Sequence, residues 1–205
     1  MGRVRDAERT RGRIVEAAVR EFAEKGFAGA RVESIGRRAG VNKQLLYHYF
    51  GGKEDLFREV VERKIEERLG RLEGSPGKLG DLLEYHFEKL YEDLDWLRFL
   101  TWEAAGREDG APLEEERRES IARQVEDLRE KGIRGDLPPD LDPRYLQLAI
   151  YALTAYPVAF AQITRMTTGQ DPESPAFREA WREFLSHFAK LGDGGQNVRA
   201  GGESR

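Results

Sequence analysis

The spacing of apolar residues constrains the fold of this chain more strongly than any other feature of its sequence. Near the start, Ile14, Ala18 and Phe22 recur at four-residue intervals, and large apolar residues between 177 and 191 alternate four- and three-residue steps. Such steps place side chains on one face of an α-helix, whereas a half-buried strand alternates every two residues. The sequence shows no convincing two-residue alternation, so it predicts an all-α fold.

Residues 30–57, which read ARVESIGRRAGVNKQLLYHYFGGKEDLF, form the most informative segment. A short helix with one apolar face ends at Gly40, and the side-chain oxygen of Asn42 can cap a second helix that runs to about Tyr49. A glycine pair and a longer helix follow. Two short helices joined by a tight turn are typical of a helix-turn-helix, whose second helix enters the major groove of DNA.

The second of these helices has an apolar side and a polar side. Leu46 and Phe50 lie four residues apart and are predicted to face the core. The residues predicted to face outward are Lys43, Gln44, Leu45, Tyr47 and His48. Lysine can donate to guanine O6 and N7, glutamine can bridge adenine N6 and N7, and leucine can contact a thymine methyl group. This outward set predicts sequence-specific binding to a double-stranded DNA operator.

The same segment resembles the TetR family of transcriptional repressors, and the resemblance covers residues from about 9 to 58. The matching elements are Phe22 with the Gly26-Phe27 pair, the turn from Ile35 to Val41, the run from Leu46 to Phe50, and Lys53 to Leu56. The resemblance implies an N-terminal three-helix helix-turn-helix domain and a C-terminal helical ligand-binding and dimerisation domain. It also implies a repressor that a small apolar or amphipathic effector releases from a palindromic operator.

Individual roles follow from this resemblance. Tyr47 and Lys53 match family positions that contact the phosphate backbone. The residues that match positions facing base edges are Lys43, Gln44, Leu45 and His48. Two residues depart from the family pattern: Asn42 stands where serine is common, and Arg31 stands where a hydroxyl residue usually caps the helix and binds phosphate. Arg31 can still reach a phosphate, and the arginines between residues 3 and 13 can add contacts. Arg37 and Arg38 are expected to be solvated.

Charge is divided unevenly along the chain. Residues 1–53 hold 12 Lys/Arg and 6 Asp/Glu, a net charge of +6, and the remainder carries a net charge of −10, which together give the overall −4. A basic module on an acidic protein is typical of a polyanion-binding domain joined to a domain of another kind. We therefore expect a DNA-binding domain at 1–52, a ligand-binding and dimerisation domain at 53–191, and a disordered tail at 192–205.

Aromatic residues in the second half of the chain suggest a small-molecule site, because such sites are apolar with few polar groups. The candidate lining and orienting residues are Trp96, Arg98, Phe99, Trp102, Glu103, Tyr151, Tyr156, Phe160 and Gln162. Ordinary core packing is the alternative for each aromatic residue.

The last two long helices are expected to form a homodimer interface, since the seam from Phe177 to Leu191 has the spacing of a helix that pairs with another. The uncharged run from Tyr145 to Thr164 is expected to contribute to this interface and to kink at Pro157. A membrane span is the alternative for this run, but Gln147, Pro157 and the absence of a second span argue against it.

Other classes of function have little support in the sequence. The chain has no cysteine, which excludes thiolate metal sites and a cysteine nucleophile and is compatible with a cytoplasmic location. His86 and His187 are isolated from other potential ligands, so neither a metal nor a cofactor is expected. A small-molecule hydrolase would need a nucleophile with a base partner, and none is visible. An architectural DNA-binding protein without an effector remains a second alternative.

Overall fold

The computed structural model describes residues 2–106, 113–138 and 140–193, with side chains described at 5–72, 74–106, 113–138 and 140–191. No strand occurs within these ranges, and the all-α prediction is confirmed. The helices are α1 (Gly2–Gly29), α2 (Val32–Ala39), α3 (Lys43–Phe50), α4 (Lys53–Gly70), α5 (Leu79–Tyr91), α6 (Leu94–Gly106), α7 (Glu114–Ile133), α8 (Pro143–Ala159), α9 (Ala161–Thr168) and α10 (Pro175–Asp193), with a short 3₁₀ turn at Leu72–Gly74.

The chain divides into two compact units. The first contains Met1–Gly70 and Asp93–Ser120, and the second contains Arg71–Glu92 and Ile121–Arg205. The division differs from the boundary expected at residue 53, because α4 and α6 pack with the N-terminal helices. The segment from Leu79 to Gly106 forms two helices, α5 and α6, which belong to different units.

An aromatic cluster explains why α4 and α6 belong to the first unit. The ring of Phe22 on α1 is fully buried, and its centroid lies 5.1 Å from that of Phe57 on α4. Phe57 stacks on Phe99 of α6 at 4.9 Å, and Phe99 stacks on Trp96 at 4.7 Å. Stacked and edge-to-face pairs contribute beyond their buried area. The aromatic residues of α6 thus complete the core of the helix-turn-helix unit.

Gly26 interrupts the regular geometry of α1. Its backbone has φ 65° and ψ 174°, which side-chain-bearing residues rarely adopt. A Cβ at this position would lie 3.2 Å from Cε3 of Trp102. Phe27 turns back so that its ring lies 6.0 Å from Phe22 and 4.8 Å from Phe57. Gly26 therefore allows both the break in α1 and the close approach of α6.

The second unit packs α5, α8 and α10 around fully or almost fully buried Leu82, Phe87, Ile150 and Leu185. Polar groups fix the same helices. The partly buried ring of Tyr91 lies under the guanidinium of Arg178, at 4.4 Å, and its hydroxyl donates to the carbonyl oxygen of Pro172. Burial raises the pKa of the Tyr91 hydroxyl to about 12.

The predicted kink at Pro157 is wrong in position. Helix α8 continues through Pro157 to Ala159, and the axis bends by 82° at Phe160, where α9 begins. Proline cannot donate to the carbonyl of Leu153, four residues earlier. The indole Nε1–H of Trp181 on α10 donates to that carbonyl at 3.0 Å instead. This tertiary hydrogen bond satisfies the group that proline leaves unpaired, so the helix need not end there.

Two further expectations concern the ends of the chain and membranes. Helix α10 extends to Asp193, and the remainder of the predicted disordered tail lies outside the described residues.

Among the described helices, no single helix is long and apolar enough to cross a membrane. Helices α8 and α9 together have the necessary length and composition, but their axes are bent by 82° relative to each other.

Candidate nucleic-acid interface

A glycine-dependent turn joins α2 to α3. Gly40 adopts the left-handed conformation, with φ 67° and ψ 35°. The N–H of Val41 donates to the carbonyl of Gly36 at 2.9 Å, and that of Gly40 donates to Arg37 at 3.3 Å. This pair of bonds is the Schellman arrangement that closes many helices. A Cβ on Gly36 would lie only 3.0 Å from the carbonyl oxygen of Val41, so both glycines fix the approach of α3 to α2.

Helix α3 begins at the predicted cap and presents the predicted face. The side chain of Asn42 accepts a hydrogen bond from the N–H of Leu45 at 2.7 Å. Leu46 and Phe50 are buried. The exposed residues are Lys43, Gln44, Leu45, Tyr47 and His48. The inward and outward assignment is therefore confirmed, while contact of the outward residues with base edges or phosphate stays a prediction.

Lys43, at the first position of α3, has two partners within the unit. Its ammonium bonds the carboxylate of Glu33 on α2 at 2.5 Å and lies 5.7 Å from the ring centroid of Tyr47. The hydrogen bond lowers the pKa of Glu33 and raises that of Lys43. Both side chains are more than half exposed, so the pair contributes little stability and DNA can displace it.

Sequence reasoning missed the buried carboxylate of Glu21. This side chain has no solvent exposure, although glutamate on a helix normally faces water. It accepts hydrogen bonds from the ammonium of Lys25 at 2.7 Å and the hydroxyl of Ser34 at 2.7 Å. Burial alone would raise the pKa of Glu21, but hydrogen bonds from Lys25, Ser34 and the backbone N–H of Arg31 lower it below its ordinary value.

Glu21 accounts for the unusual residue at the start of α2. Arg31 occupies the N-cap position and makes no side-chain cap hydrogen bond. Its backbone N–H instead points to Oε1 of Glu21 at 3.4 Å, and Ser34 in the first turn of α2 bonds Oε2. A negative charge at this place also suits the positive end of the helix dipole. The carboxylate from α1 thus holds the start of α2 through the backbone N–H of Arg31 and the hydroxyl of Ser34, whereas a local hydroxyl would accept from a backbone N–H of the first turn.

Arg38 is not simply solvated, as the sequence suggested. Its guanidinium bonds the carboxylates of both Glu21 and Glu24 on α1, and its side chain is one third exposed. Arg37 is exposed. The C-terminal half of α2 is therefore tied to α1 by ion pairs, just as its N-terminus is tied by Glu21.

Lys53, matched by resemblance to a phosphate-contacting position, also has internal partners. Its ammonium donates to the carbonyl oxygens of Phe27 at 2.9 Å and Ala30 at 3.3 Å, and lies 4.5 Å from the centroid of the Phe27 ring. An ammonium has three donors, so one remains for a phosphate. Lys53 joins the start of α4 to the end of α1, and its contact with DNA stays a prediction.

The candidate effector residues fall in both units. Trp96, Phe99, Trp102 and Glu103 lie in the first unit, and Tyr151, Tyr156, Phe160 and Gln162 lie in the second. In the first unit, Trp96 and Phe99 are buried in the aromatic core, which supports the alternative of core packing for both. Trp102 is half exposed beside Gly26. Glu103 forms a two-point ion pair with Arg117 at 2.6 and 3.0 Å.

The candidates in the second unit differ in exposure. The hydroxyl of Tyr151 donates to Oε1 of Gln124 at 2.8 Å. Tyr156 and Phe160 are about half exposed with ring centroids 4.9 Å apart, and Gln162 is exposed. Sequence reasoning did not single out Gln147 for this site, although its amide is buried and its Nε2 lacks a hydrogen-bond partner.

Apolar side chains also remain exposed on α8, α9 and α10 of the second unit. On α10, aromatic rings form a continuous stack from Phe177 through Trp181 and Phe184 to Phe188. Phe177 is buried, whereas Phe184 and Phe188 are more than two fifths exposed. The other exposed large apolar residues of these helices are Tyr145, Leu148, Tyr156, Phe160, Ile163, Met166 and Leu191.

Comparisons with known proteins agree with the geometry of the first unit. The family model for bacterial regulatory proteins of the tetR family matches residues 14–60, and a tetracyclin repressor-like C-terminal domain model matches residues 77–188. The HTH-type transcriptional repressor SCO4008 of Streptomyces coelicolor is 38% identical over 172 residues, covering 80% of this chain and 86% of that protein.

Two solved structures extend the comparison. The transcriptional regulator SCO4942 from Streptomyces coelicolor has a TM-score of 0.68 and 32% identity, covering 87% of this chain and 97% of that one. FadR from Bacillus subtilis, solved in complex with stearoyl-CoA, has a TM-score of 0.59 and 23% identity, covering 85% and 96%. The fold and its helix-turn-helix define a DNA-binding transcriptional regulator rather than an enzyme. The chain belongs to the TetR family.

Proposed function

We propose that this protein is a homodimeric cytoplasmic repressor that binds a palindromic operator and leaves it when a small apolar or amphipathic effector binds. The observation that carries the DNA-binding part is the exposed face of α3. Lys43, Gln44 and His48 offer hydrogen bonds to base edges, and Leu45 offers an apolar contact, while Tyr47 reaches phosphate. The buried Leu46 and Phe50 hold this face in one orientation.

The exposed apolar surface on α8 to α10 supports a homodimer. A monomeric protein rarely leaves so many large apolar side chains on adjacent helices in contact with water. Pairing α8 and α10 with their symmetry mates buries these residues in a four-helix arrangement. Two copies of α3 then read two half-sites related by a two-fold axis. A palindromic operator follows from this symmetry.

A buried amide in the second unit supports effector binding. Leaving a buried N–H donor unpaired costs about 1 to 3 kcal/mol. Gln147 Nε2 is such a donor, and the neighbouring Tyr151 and Gln124 supply further polar atoms on α8 and α7. An amphipathic effector with a carbonyl or carboxylate oxygen satisfies this donor. The FadR neighbour was solved in complex with stearoyl-CoA, and this supports the proposal of an amphipathic effector.

The DNA-binding part is tested by fluorescence anisotropy on fragments of the DNA upstream of the protein's own gene. Specific binding is expected to be saturable and to survive an excess of random duplex. Equal affinity for every fragment would refute a sequence-specific repressor and favour an architectural DNA-binding protein.

The effector part is tested on the same complex by adding fatty acids, acyl-CoA thioesters and apolar metabolites. An effector raises the melting temperature of the free protein and lowers its affinity for the operator, because it binds one conformer better than the other. Gln147→Leu removes the unpaired donor and is expected to weaken this response without weakening operator binding. A ligand that acts equally on Gln147→Leu and the unchanged protein would exclude this amide from the site.

A further inference from the structure

Helix α1 begins well before the hydrophobic core. Its first buried residue is Ile14, and none of the described side chains from Arg5 to Arg13 is buried. The part of α1 that precedes Ile14 spans twelve residues, about 18 Å of helix. Isolated helices of this length are marginally stable in water, and none of the side chains described at residues 5–13 is buried in a core that would explain the extension. It also lies outside the residues matched by the family model, which begins at 14.

One arginine fixes the rotation of this extension. Arg11 bonds Glu59 on α4 through two nitrogens, and its guanidinium carbon lies 5.5 Å from the centroid of Phe50 at the end of α3. Residues two positions apart on an α-helix point about 200° apart. Arg9 and Arg13 therefore lie on the face opposite to Arg11.

A second contact shows what that opposite face adjoins. Arg13 Nη1 lies 3.7 Å from the position that a Cβ on Gly40 would occupy, so Arg13 sits beside the turn between α2 and α3. Arg5, Arg9 and Arg13 are four residues apart, which places them on one face of α1, and all three are exposed. The face thus runs from the helix-turn-helix turn outward along the extension.

The charges on this face suit a polyanion. Residues 5–13 carry four arginines against two carboxylates, and three of the four arginines lie on this face. Arg9 pairs with Asp6 at 2.9 Å, but both side chains are more than two thirds exposed. Such surface pairs contribute little, so a phosphate can take the place of Asp6. Arginine binds phosphate oxygens in a two-point geometry.

We infer that the Arg5, Arg9 and Arg13 face of α1 is a second DNA-binding surface, which contacts the phosphate backbone of duplex flanking the sequence read by α3. This inference rests on the proposed function and extends it to DNA outside the half-site. Arg5 lies about 12 Å along the helix from Arg13, a distance equivalent to about three or four base pairs at 3.4 Å each. The contacts add affinity and salt dependence without sequence preference.

The experiment uses the full-length protein and a duplex that it enriches from a random-sequence pool. Affinity is measured on the minimal duplex and on one lengthened by four base pairs at each end, over a series of salt concentrations. The variant is Arg5→Gln with Arg9→Gln, since glutamine preserves helix propensity. The matched control is Arg118→Gln with Arg129→Gln, which removes two exposed charges from α7.

The unchanged protein and the control are expected to bind the longer duplex more tightly. The Arg5 and Arg9 variant is expected to lose that gain, and the slope of log affinity against log salt should fall by about 0.9 for each phosphate that the variant no longer neutralises.

Gly12→Pro gives a second readout, because proline breaks the helix between the extension and the core, and nothing lies within 4 Å of a Cβ there. It should abolish the same gain while circular dichroism shows the remaining helices intact.

Equal slopes and equal length gains in the variant and the unchanged protein would overturn the inference while leaving the proposed function standing. Failure of the unchanged protein to enrich any duplex would instead refute the proposed function itself.

Discussion

The hydroxyl of Ser34 on α2 donates a hydrogen bond of 2.7 Å to the carboxylate of Glu21 on α1, and both residues are buried. A single buried charge therefore connects the core helix of the first unit to the first helix of the helix-turn-helix. The orientation of α3 depends on α2 through the turn at Gly40, so the effect of Glu21 reaches the proposed DNA-binding face.

Replacing Glu21 by glutamine is expected to destabilise the fold and weaken DNA binding together. The amide retains the shape but loses the charge that binds Lys25 and Arg38. Hydrogen bonds to charged groups contribute about 1.5 to 3 kcal/mol. We therefore expect the free energy of unfolding to fall by about this amount, and urea denaturation measures the change. Glu24→Gln is the control, since Glu24 is half exposed and also pairs with Arg38. Equal effects of the two changes would contradict a special role for the buried carboxylate.

Removing the hydroxyl of Tyr47 should weaken DNA binding without affecting stability. Its side chain is 42% exposed, so the hydroxyl is free to reach a phosphate. Loss of one hydrogen bond of about 1 kcal/mol in each copy of the chain corresponds to roughly fivefold weaker binding per half-site, or about 30-fold for the dimer, in Tyr47→Phe. Tyr49→Phe on the same helix, whose ring packs against the first core, is the control. Anisotropy titrations with unchanged affinity for Tyr47→Phe would remove this residue from the interface.

The Lys53→Met variant should show how much this side chain contributes to stability and how much it contributes to DNA binding. Methionine keeps much of the packing on Phe27 but cannot donate to the carbonyls at the end of α1, and a loss of about 1 to 2 kcal/mol in unfolding free energy is expected. If the remaining N–H of the Lys53 ammonium binds phosphate, the slope of log affinity against log salt concentration also falls by about 0.9 for each copy of the chain. An unaltered salt slope with reduced stability would make Lys53 a positioning residue alone.

Charged residues on the outer face of α10 should prevent dimerisation. Phe184→Glu with Phe188→Glu places two carboxylates on the exposed aromatic stack, and sedimentation is expected to show monomers. Because one half-site then binds alone, operator affinity should fall by more than tenfold. Leu141→Glu, at an exposed apolar residue outside α8 to α10, is the control and should remain dimeric. A double variant that still sediments as a dimer would place the interface elsewhere.

The stability of α8 should depend on acidic pH through Asp142. This residue caps α8, and hydrogen bonds from the side chain and backbone N–H of Arg144 lower its pKa from 3.8 to about 2. Since the pKa is lowered in the folded state, the stabilisation is present above about pH 4 and disappears as the pH falls towards 2. Asp142→Asn should therefore be less stable at pH 6, with the difference narrowing towards pH 2. Thermal denaturation across this range measures it, and a difference that is constant with pH would contradict the shift.

Local signals in the sequence predicted the helix-turn-helix closely. Gly40 and Asn42 act through their own backbone or the next turn, and Leu46 and Phe50 follow helical spacing, so each can be interpreted from its neighbours in the chain. The caps at Asp142 and Ser174 are equally local, because their side-chain oxygens accept hydrogen bonds from the first turns of α8 and α10.

Features that depend on distant segments could not be predicted in this way. Glu21 is buried because Ser34, Arg38 and the start of α2 come together around it. Helix α8 continues through Pro157 because Trp181, 28 residues after Leu153, donates to the unpaired carbonyl. Aromatic character alone suggests an effector site at Trp96 and Phe99, but it does not reveal that these two residues complete the core of the first unit.

The anchoring of the start of α2 by Glu21 has an evolutionary consequence. A helix capped by its own first residue restricts that position to a few residue types, and any change there costs stability. Since Glu21 supplies the negative charge from α1, position 31 is released from this constraint and can vary while α2 remains intact. Arg31 lies at the edge of the proposed DNA-binding surface, so selection can change the affinity for DNA there without a compensating mutation in the core.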